Sequence, residues 1–504
     1  MSDRLINATK NAGVSIVYQI ATLIISFVSR TVFIRTLGIE YLGINSLFSE
    51  VLNLLSMADL GLGVSMAYSF YAPLASGDKH KISALISFYK KVYNIIAIAI
   101  TVIGLCITPF IHLIVNTTTE IPYIEVYYLF ALGGIVVSYL WVYKTTLITA
   151  DQKSYIVTAI NMIVTVIAGL IKILVLVIWK NYIIYLIVDL FSKFLMNFLA
   201  SRKADKLYPY IAQKAELDVA EQKSIFSNVS SMFIYKLSSV LLTATDNSII
   251  SVLCGTALVG IYSNYNLVTT KLSSFVVLLF TAVTAGVGNI VATESADKRY
   301  SVYKQLQGVS FIVSGITAVC YFVLINNLIT VWIGSDYSLN EGTIVAITIN
   351  LYFSVVLQPL QVYRSATGMY QRTKWIMLIC AIENLILSIA LGELIGITGI
   401  LLASIISRIT TYMLYEPMIL FREYFNQNGR VFFTELIKNV IITSVCAIIL
   451  KKCFTGWSVD SWIMLFVKAL IVGIITLAVF IIAYFKDDSL ALIYERVKNL
   501  FIRR

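Results

Sequence analysis

The sequence predicts an all-α polytopic membrane protein with about fourteen transmembrane helices. The first observation is composition: 59% of the 504 residues are hydrophobic and 13% are charged, whereas soluble domains are about 45–50% apolar and about 25% charged. The second is a series of apolar segments of about 20 residues, the length that crosses a bilayer. The third is an internal repeat within the first twelve segments. Together they exclude an ordinary soluble enzyme, a disordered chain and a nucleic-acid-binding domain.

The predicted spans follow one another with short turn signals between them, such as the residues around Gly77 and Gly334. Each is long enough to cross the hydrocarbon layer as a helix. They are residues 13–36, 43–72, 91–115, 123–149, 154–179, 181–200, 225–252, 257–291, 308–333, 343–369, 373–393, 396–420, 433–450 and 461–485.

The positive charges predict the orientation of the chain. There are 38 Lys and Arg against 27 Asp and Glu, a net charge of +11. If the N-terminus is cytoplasmic, most basic residues fall in cytoplasmic connections, as the positive-inside rule requires. We therefore expect both termini in the cytoplasm and short outer loops.

A repeat relates two sets of six spans. Asn11 matches Asn228 and Gly43 matches Gly260, and the two pairs have the same separation in the sequence. Six helices return the chain to the same side, so both copies have the same orientation, as in transporters built from parallel repeats. The expected domains are a six-helix lobe at 1–200, a cytoplasmic linker at 201–224, a second six-helix lobe at 225–421, two extra helices at 422–485 and a cytoplasmic tail at 486–504.

One face of the first span is polar and the opposite face is apolar. Helical spacing places its polar residues on one side: Gln19, Thr22, Ser26 and Arg30. The repeat maps this face onto the seventh span, which carries Lys236 and Asn247. A hydrogen-bonded interface between static helices is one interpretation. We favour a polar cavity, because each of the two helices presents a cation.

Charged residues inside spans are functional candidates, since each costs about 2.5–3.5 kcal/mol at the bilayer centre on insertion scales. The cations are Arg30, Lys172, Lys236, Lys271 and Arg408, and the acids are Glu50, Asp59, Asp189, Asp246 and Glu383. Mutual pairing, for example of Lys172 with Asp189 or of Glu383 with Arg408, is the alternative for any single residue. Lys193 and Arg35 lie near span ends, where we expect their charged groups to reach water.

The glycines Gly61, Gly63, Gly286 and Gly288 lie in the second and eighth spans, where they permit close packing or a bend.

Metal and disulfide chemistry are not indicated. The six cysteines form no CxxC pair and only two histidines are present. We expect neither a metal site nor a cofactor.

Three stretches of the first half resemble a known family. They are residues 29–45 (SRTVFIRTLGIEYLGIN), 58–63 (ADLGLG) and 71–79 (YAPLASGDK). They are similar to bacterial polysaccharide repeat-unit flippases of the Wzx type, in the multidrug/oligosaccharidyl-lipid/polysaccharide (MOP) exporter superfamily. Residues 246–251 (DNSIIS) and 260–265 (GIYSNY) resemble the start of the second half of that family.

The resemblance implies two six-helix lobes with alternating access and a transporter rather than an enzyme. The implied substrate is an undecaprenyl-diphosphate-linked oligosaccharide, moved from the inner to the outer leaflet of the bacterial cytoplasmic membrane for capsule, exopolysaccharide or O-antigen synthesis. The implied energy source is an H⁺ or Na⁺ gradient or the membrane potential. A polysaccharide polymerase and a chain-length regulator are the implied protein partners. Lipid II flippases of the superfamily use their last two helices in a groove for the lipid tail, and spans 13 and 14 could do the same.

A diphosphate sugar cannot cross hydrocarbon unaided, and membrane cations would offer it charge-assisted hydrogen bonds. We expect Arg30 first and Lys236 second to contact the diphosphate. The full expected substrate-binding set is Arg30, Lys236, Lys271, Arg408, Gln19, Thr22, Ser26 and Asn247. Candidates for the coupling ion or the gate are Glu50, Asp59, Asp246 and Glu383.

Three other functions are open to such a chain. One is a structural scaffold, against which the polar faces and the charges inside spans count. A cation-coupled drug antiporter of the same superfamily relies on a few acids in an apolar pocket, and several inward cations argue against it. A membrane glycosyltransferase or polymerase would need charged residues on a sizeable outer loop. The outer loops predicted here are too short for that.

Overall fold

The computed structural model describes residues 3–56, 62–213, 215–242 and 244–485. A few side chains within these ranges, among them that of Lys236, lie outside the description, as do Asp59 and the predicted tail at 486–504. The described residues form helices and turns, with no strand among them. Ten of these helices are long and apolar enough to cross a membrane, or up to thirteen spans if three bent pairs each count as one. The chain is therefore a multi-pass membrane protein.

The helices fall into two compact units, residues 1–260 and 261–504. The first contains α1 (Asp3–Leu37), α2 (Ile39–Leu55), α3 (Leu62–Ser76), α4 (Lys79–Ile107), α5 (Ile111–Ile114), α6 (Ile124–Tyr139), α7 (Val142–Ala150), α8 (Ser154–Ile178), α9 (Tyr182–Leu207), α10 (Val219–Leu241) and α11 (Asp246–Cys254). The next helix, α12 (Thr256–Thr293), begins in this unit and continues into the second.

The second unit contains the rest of α12, then α13 (Ala296–Trp332), α14 (Glu341–Val356), α15 (Gln358–Thr367), α16 (Tyr370–Ile395), α17 (Ile397–Thr410), α18 (Tyr412–Tyr424), α19 (Arg430–Cys453) and α20 (Trp462–Tyr484). Each of the fourteen predicted spans coincides with one of these helices or with successive helices. The predicted lobe boundary stays a prediction, because the division at Gly260 groups α10 and α11 with the helices before them.

Polar residues in the connections fix where several helices begin. The side chain of Asp78 accepts a hydrogen bond from the backbone N of Lys81 at 2.9 Å. Asn340 accepts one in the same way from Thr343 N at 2.8 Å. Such caps satisfy backbone donors that have no partner within the helix, so the turn signals of the sequence also start α4 and α14.

The internal repeat is visible in the backbone. Gly38 and Gly255, which have the same separation in sequence as Gly43 and Gly260, both adopt a positive φ, of 90° and 98°, where the chain passes into the next helix. Glycine has no Cβ to oppose this conformation. The break between α6 and α7, at 48°, and the break between α14 and α15, at 41°, are related by that separation too. The two sets of helices therefore turn and break at equivalent positions.

The eighth predicted span bends beside its glycines. The axis of α12 changes direction by 42° between Thr281 and Gly286. A Cβ added at Gly286 or Gly288 would have no atom within 4 Å. These two glycines therefore accompany a bend rather than a close helix contact.

The predicted linker at 201–224 is shorter in the structure. Helix α9 continues to Leu207, and its last turns are held by Lys144, whose Nζ lies 2.8 Å from Asp205 Oδ1. Residues 208–218 then connect α9 to α10. Tyr208 donates a hydrogen bond to Asp151 at 2.6 Å, which fixes the start of this connection to the first unit.

Helices α19 and α20 pack on α13. Gly315 makes room for the ring of Phe480, since a Cβ there would lie 1.9 Å from it. The buried Asn439 accepts from Tyr352 at 2.6 Å and contacts the hydroxyl of Tyr484 at 2.7 Å. The ammonium of Lys468 contacts one side-chain and two backbone oxygens at 3.1–3.3 Å. It stabilises the connection between the two helices.

Candidate substrate site

The polar face of α1 is turned into the first unit. Ile20, Ile24 and Val28, on the opposite face, are 47%, 60% and 46% exposed. Thr22 is buried, and its hydroxyl donates to the backbone carbonyl of Gln19 at 3.1 Å. The apolar residues thus form the outer surface, where lipid would lie, and the polar residues point to the protein.

Helix α8 runs parallel to α1 in a fixed register. Near one end, the backbone N of Tyr155 donates to Asn11 Oδ1 at 2.7 Å. Further along, Ile25 packs so closely on Gly169 that a Cβ there would lie 2.3 Å from it. Both pairs have the same separation in the sequence, so Arg30 of α1 lies within about one helical turn of the level of Lys172 on α8.

Three cations surround one acid and one tyrosine at this level. Lys172 forms an ion pair with one carboxylate oxygen of Asp189, and Lys193 Nζ lies 2.9 Å from the other. The ring of Tyr185 lies under Lys172, with Nζ 5.0 Å from its centre. Tyr185 also interacts electrostatically with Arg30. We call these five residues the cationic cluster. Its formal charge is about +2, with Tyr185 neutral and the other four groups ionised.

Buried aromatic side chains hold Tyr185 in place. Its ring lies 5.9 Å from that of Tyr182, in a stacked arrangement, and 5.2 Å from that of Phe33, edge to face. The hydroxyl of Tyr182 donates to Asn45 at 3.3 Å. The side of the cluster at the start of α9 is therefore packed among aromatic rings.

The structure shows the contacts of two lysines. The alternative of mutual pairing holds for Lys172, which pairs with Asp189. Lys193 contacts the same carboxylate and its side chain is 40% exposed, so the expectation that it reaches water stays a prediction. Because α9 extends to Leu207, residue 193 lies near the middle of the helix. Its Nζ packs on Gly134 of α6, where a Cβ would lie 3.0 Å away. Gly134 belongs to another helix, so the spacing of residues within the span of Lys193 does not predict this contact.

Two of the predicted coupling residues come together at a second place in the first unit. Glu50 of α2 accepts a hydrogen bond from the backbone N of Asn247 at 2.9 Å, and it interacts electrostatically with Asp246. Asp246 and Asn247 are buried. Two adjacent buried carboxyl groups repel each other unless one takes up a proton or a cation lies between them.

A close contact between backbones also involves α2, about two helical turns before Glu50. A Cβ at Gly43 would lie 2.1 Å from the carbonyl oxygen of Thr256, and one at Gly260 would lie 2.3 Å from that of Ile39. The backbone N of Thr256 donates to the carbonyl of Asn116 at 2.7 Å. We call the approach of Gly43 and Gly260 the glycine contact. It ties the start of α2 to the start of α12.

The remaining candidates lie in the second unit or outside the description. Arg408 donates to Asn350 at 3.3 Å, and Glu383 accepts from Thr410 at 2.7 Å. Arg408 and Glu383 therefore each contact a neutral side chain rather than each other. Lys271, on α12, is partly buried. The side chain of Lys236 and all of Asp59 lie outside the described residues.

An apolar cavity of about 400 Å³ lies within the second unit. Its walls come from α13, α14, α17 and α19, and most of the lining residues are aliphatic or aromatic. Among them are Phe322, Tyr352, Phe353, Ile405, Val440 and Ile448. Such a cavity suits a hydrocarbon chain.

No family model and no curated protein matches this sequence, but solved structures match the fold. The lipid II flippase MurJ, in an inward closed conformation, aligns with a TM-score of 0.69 and 16% identity, over 93% of this chain and 99% of that chain. A multidrug resistance MATE family transporter of the MOP superfamily, in an inward-facing conformation, aligns with a TM-score of 0.57 and 14% identity, over 81% and 97%.

A third match is a MOP superfamily transporter from Pyrococcus furiosus, whose binding pocket is described as having reverse polarity. It aligns with a TM-score of 0.52 and 15% identity, over 81% of this chain and 95% of that chain. At these identities the likeness concerns the fold. The chain has the fold of the MOP-superfamily transporters, which MurJ and the MATE proteins share.

Proposed function

We propose that the protein is a flippase for oligosaccharide repeat units linked to undecaprenyl diphosphate, in the bacterial cytoplasmic membrane. It would carry them from the cytoplasmic to the outer leaflet by alternating access, for capsule, exopolysaccharide or O-antigen synthesis. The observation that carries the proposal is the cationic cluster. Three cations near one acid, among membrane-spanning helices, are costly unless they serve an anion, and a diphosphate supplies one.

The lipid part of the substrate has a matching feature. A prenyl chain is apolar throughout, and most of the side chains that line the cavity of the second unit are apolar. The oligosaccharide needs neutral hydrogen-bonding groups, which Gln19, Thr22 and Ser26 supply on the same face as Arg30.

The proposed coupling site is the pair Glu50 and Asp246. Two carboxyl groups this close favour uptake of H⁺ or a monovalent cation, so an ion gradient can act on α2, the helix that also carries Gly43 of the glycine contact. Glu383 and Asp59 remain candidates for the same role. The polymerase and chain-length regulator expected from the sequence would receive the transported unit.

A cation-coupled drug antiporter is the second candidate, because MATE transporters share this fold and the buried acids would suit its chemistry. The two functions make opposite demands on the cationic cluster. Cationic drugs are repelled by a net positive site, whereas a diphosphate is attracted to it.

Leaflet transfer in proteoliposomes tests the proposal. The substrate is a fluorescent oligosaccharide on a prenyl diphosphate, and the signal is its loss to a quencher added outside. Proteoliposomes should transfer it faster than protein-free vesicles do. Gradient-driven efflux of a cationic dye is measured in parallel. Dye efflux by folded protein without lipid transfer would overturn the flippase and support the antiporter.

A further inference from the structure

We infer that Asp189 takes the place of a phosphate group, and that a diphosphate binds to this protein by displacing Asp189 from Lys172 and Lys193. The inference rests on the proposed function and deepens it. It makes Asp189 the residue that sets how tightly the anion is held. The residue competes with the substrate for the same two ammonium groups.

The geometry of the ion pairs is the first argument. The two carboxylate oxygens of Asp189 contact different lysines, Lys172 on α8 and Lys193 on α9. Two ammonium groups from separate helices thus converge on one small anion through separate oxygens. A phosphate group presents the same arrangement of anionic oxygens to lysines.

The second argument is that each lysine has a further contact besides Asp189. Lys193 packs against Gly134 on α6. Lys172 lies over the ring of Tyr185, which is itself held by the aromatic side chains around it. Both ammonium groups would therefore stay directed at the same point after the carboxylate moves away.

Charge supplies the third argument. A single carboxylate neutralises one of the three cations of the cluster, whereas a diphosphate carries at least two negative charges at neutral pH. Arg30, which also interacts electrostatically with Tyr185, is the third cation available to the larger anion. Exchange of Asp189 for a diphosphate thus improves the charge balance of the cluster. The side chain of Asp189 is 29% exposed, so it has room to move.

The test is the affinity of the full-length protein in nanodiscs for two probes, inorganic pyrophosphate and farnesyl diphosphate, by isothermal titration calorimetry. Asp189→Asn removes the competing charge, and we expect both probes to bind about tenfold more tightly, the size of one lost charge-assisted hydrogen bond. Asp189→Glu keeps the charge and should leave the affinity near that of the unaltered protein. Unchanged or weaker binding to Asp189→Asn would overturn the inference.

Two controls make the result specific. Glu416→Gln also removes a buried acid that is paired with a cation, Arg364, but it lies in the second unit and should not change the affinity. Gly134→Ala should weaken binding, because the added methyl displaces the ammonium of Lys193. A gain with farnesyl diphosphate alone would show an effect on the apolar chain, and would contradict the exchange.

If Asp189→Asn does not fold, the unaltered protein gives a second readout. Pyrophosphate should increase the labelling of Asp189 by a carbodiimide, measured by mass spectrometry, because the carboxylate leaves its two lysines. Decreased or constant labelling would overturn the exchange. Leaflet transfer is measured separately. If the probes bind as expected but the lipid is not transferred, only the proposed function is overturned. If the lipid is transferred but Asp189→Asn does not bind the probes more tightly, only this inference is overturned.

Discussion

Gly43 and Gly260 lie far apart in the sequence and meet in the structure, where a Cβ on Gly260 would lie 3.1 Å from the backbone N of Gly43. The two positions are equivalent in the internal repeat. Glycine at both positions thus lets the backbones of α2 and α12 approach closely. Gly43 lies next to a carbonyl oxygen of α12, and Gly260 lies next to a carbonyl oxygen of α2. A side chain at either position would separate the two helix starts.

Gly43→Ala should open the glycine contact. The new methyl would collide with a backbone oxygen of Thr256, which cannot rotate away as a flexible side chain can. We expect faster amide hydrogen exchange at Thr256, whose N–H is bonded to Asn116. Gly473→Ala is the matched control, since a Cβ there has no atom within 4 Å. Equal exchange in the two variants would show that the contact does not hold the helices together.

Glu50→Gln should stabilise the same region. A glutamine oxygen can still accept the hydrogen bond from Asn247, while the cost of holding a second carboxyl group next to Asp246, as repulsion or as proton uptake, disappears. We expect the unfolding free energy to rise by about 1–3 kcal/mol at neutral pH, seen as a higher melting temperature. Glu383→Gln, next to Thr410 rather than a second acid, should give no such gain. A lower melting temperature for Glu50→Gln would contradict the repulsion.

The hydrogen bonds of Glu40, between the first two predicted spans, should make the stability of the protein depend on pH. Burial alone would raise the pKa of Glu40, but hydrogen bonds from Thr118 and Thr119 outweigh it and hold the pKa below its ordinary value. The stability from this contact is therefore present above the ordinary pKa of a glutamate and is lost as the pH falls through the lower, folded-state pKa.

The measurement for Glu40 is the melting temperature of the unaltered protein and of Glu40→Gln over a range of pH. The variant should melt lower at neutral pH, and the difference should shrink in acid, where the unaltered carboxyl group takes up a proton. A difference that grows towards low pH would have the wrong sign for this contact.

Gly315→Ala should loosen the packing of α19 and α20 on α13. The added methyl would overlap the ring of Phe480, which is fully buried. Overpacking of this kind costs about 1–3 kcal/mol, and the melting temperature should fall accordingly. Gly456→Ala, at a position with open space around it, is the control. Equal melting temperatures for the two variants would contradict the close packing of Phe480 on Gly315.

The number and position of the helices could be predicted because a bilayer requires apolar segments of one length, whatever surrounds them. The polar face of α1 could be predicted because helical spacing is local. The cationic cluster could not, because it depends on contacts between helices. Lys193 of α9, for example, packs on Gly134 of α6, and spacing within one span does not indicate such a contact. Glu50 and Asp246 meet although they belong to different copies of the repeat, and the repeat pattern matched neither to the other.

The most direct test of the central claim, that the cationic cluster carries a diphosphate lipid, is the transfer rate of Arg30→Ala against Arg35→Ala in proteoliposomes. Both changes remove an arginine from α1, but Arg35 lies exposed in its last turn. We predict that Arg30→Ala transfers the fluorescent prenyl-diphosphate oligosaccharide at least about tenfold more slowly than Arg35→Ala does. Equal rates for the two folded variants would contradict the assignment of the diphosphate to this cluster.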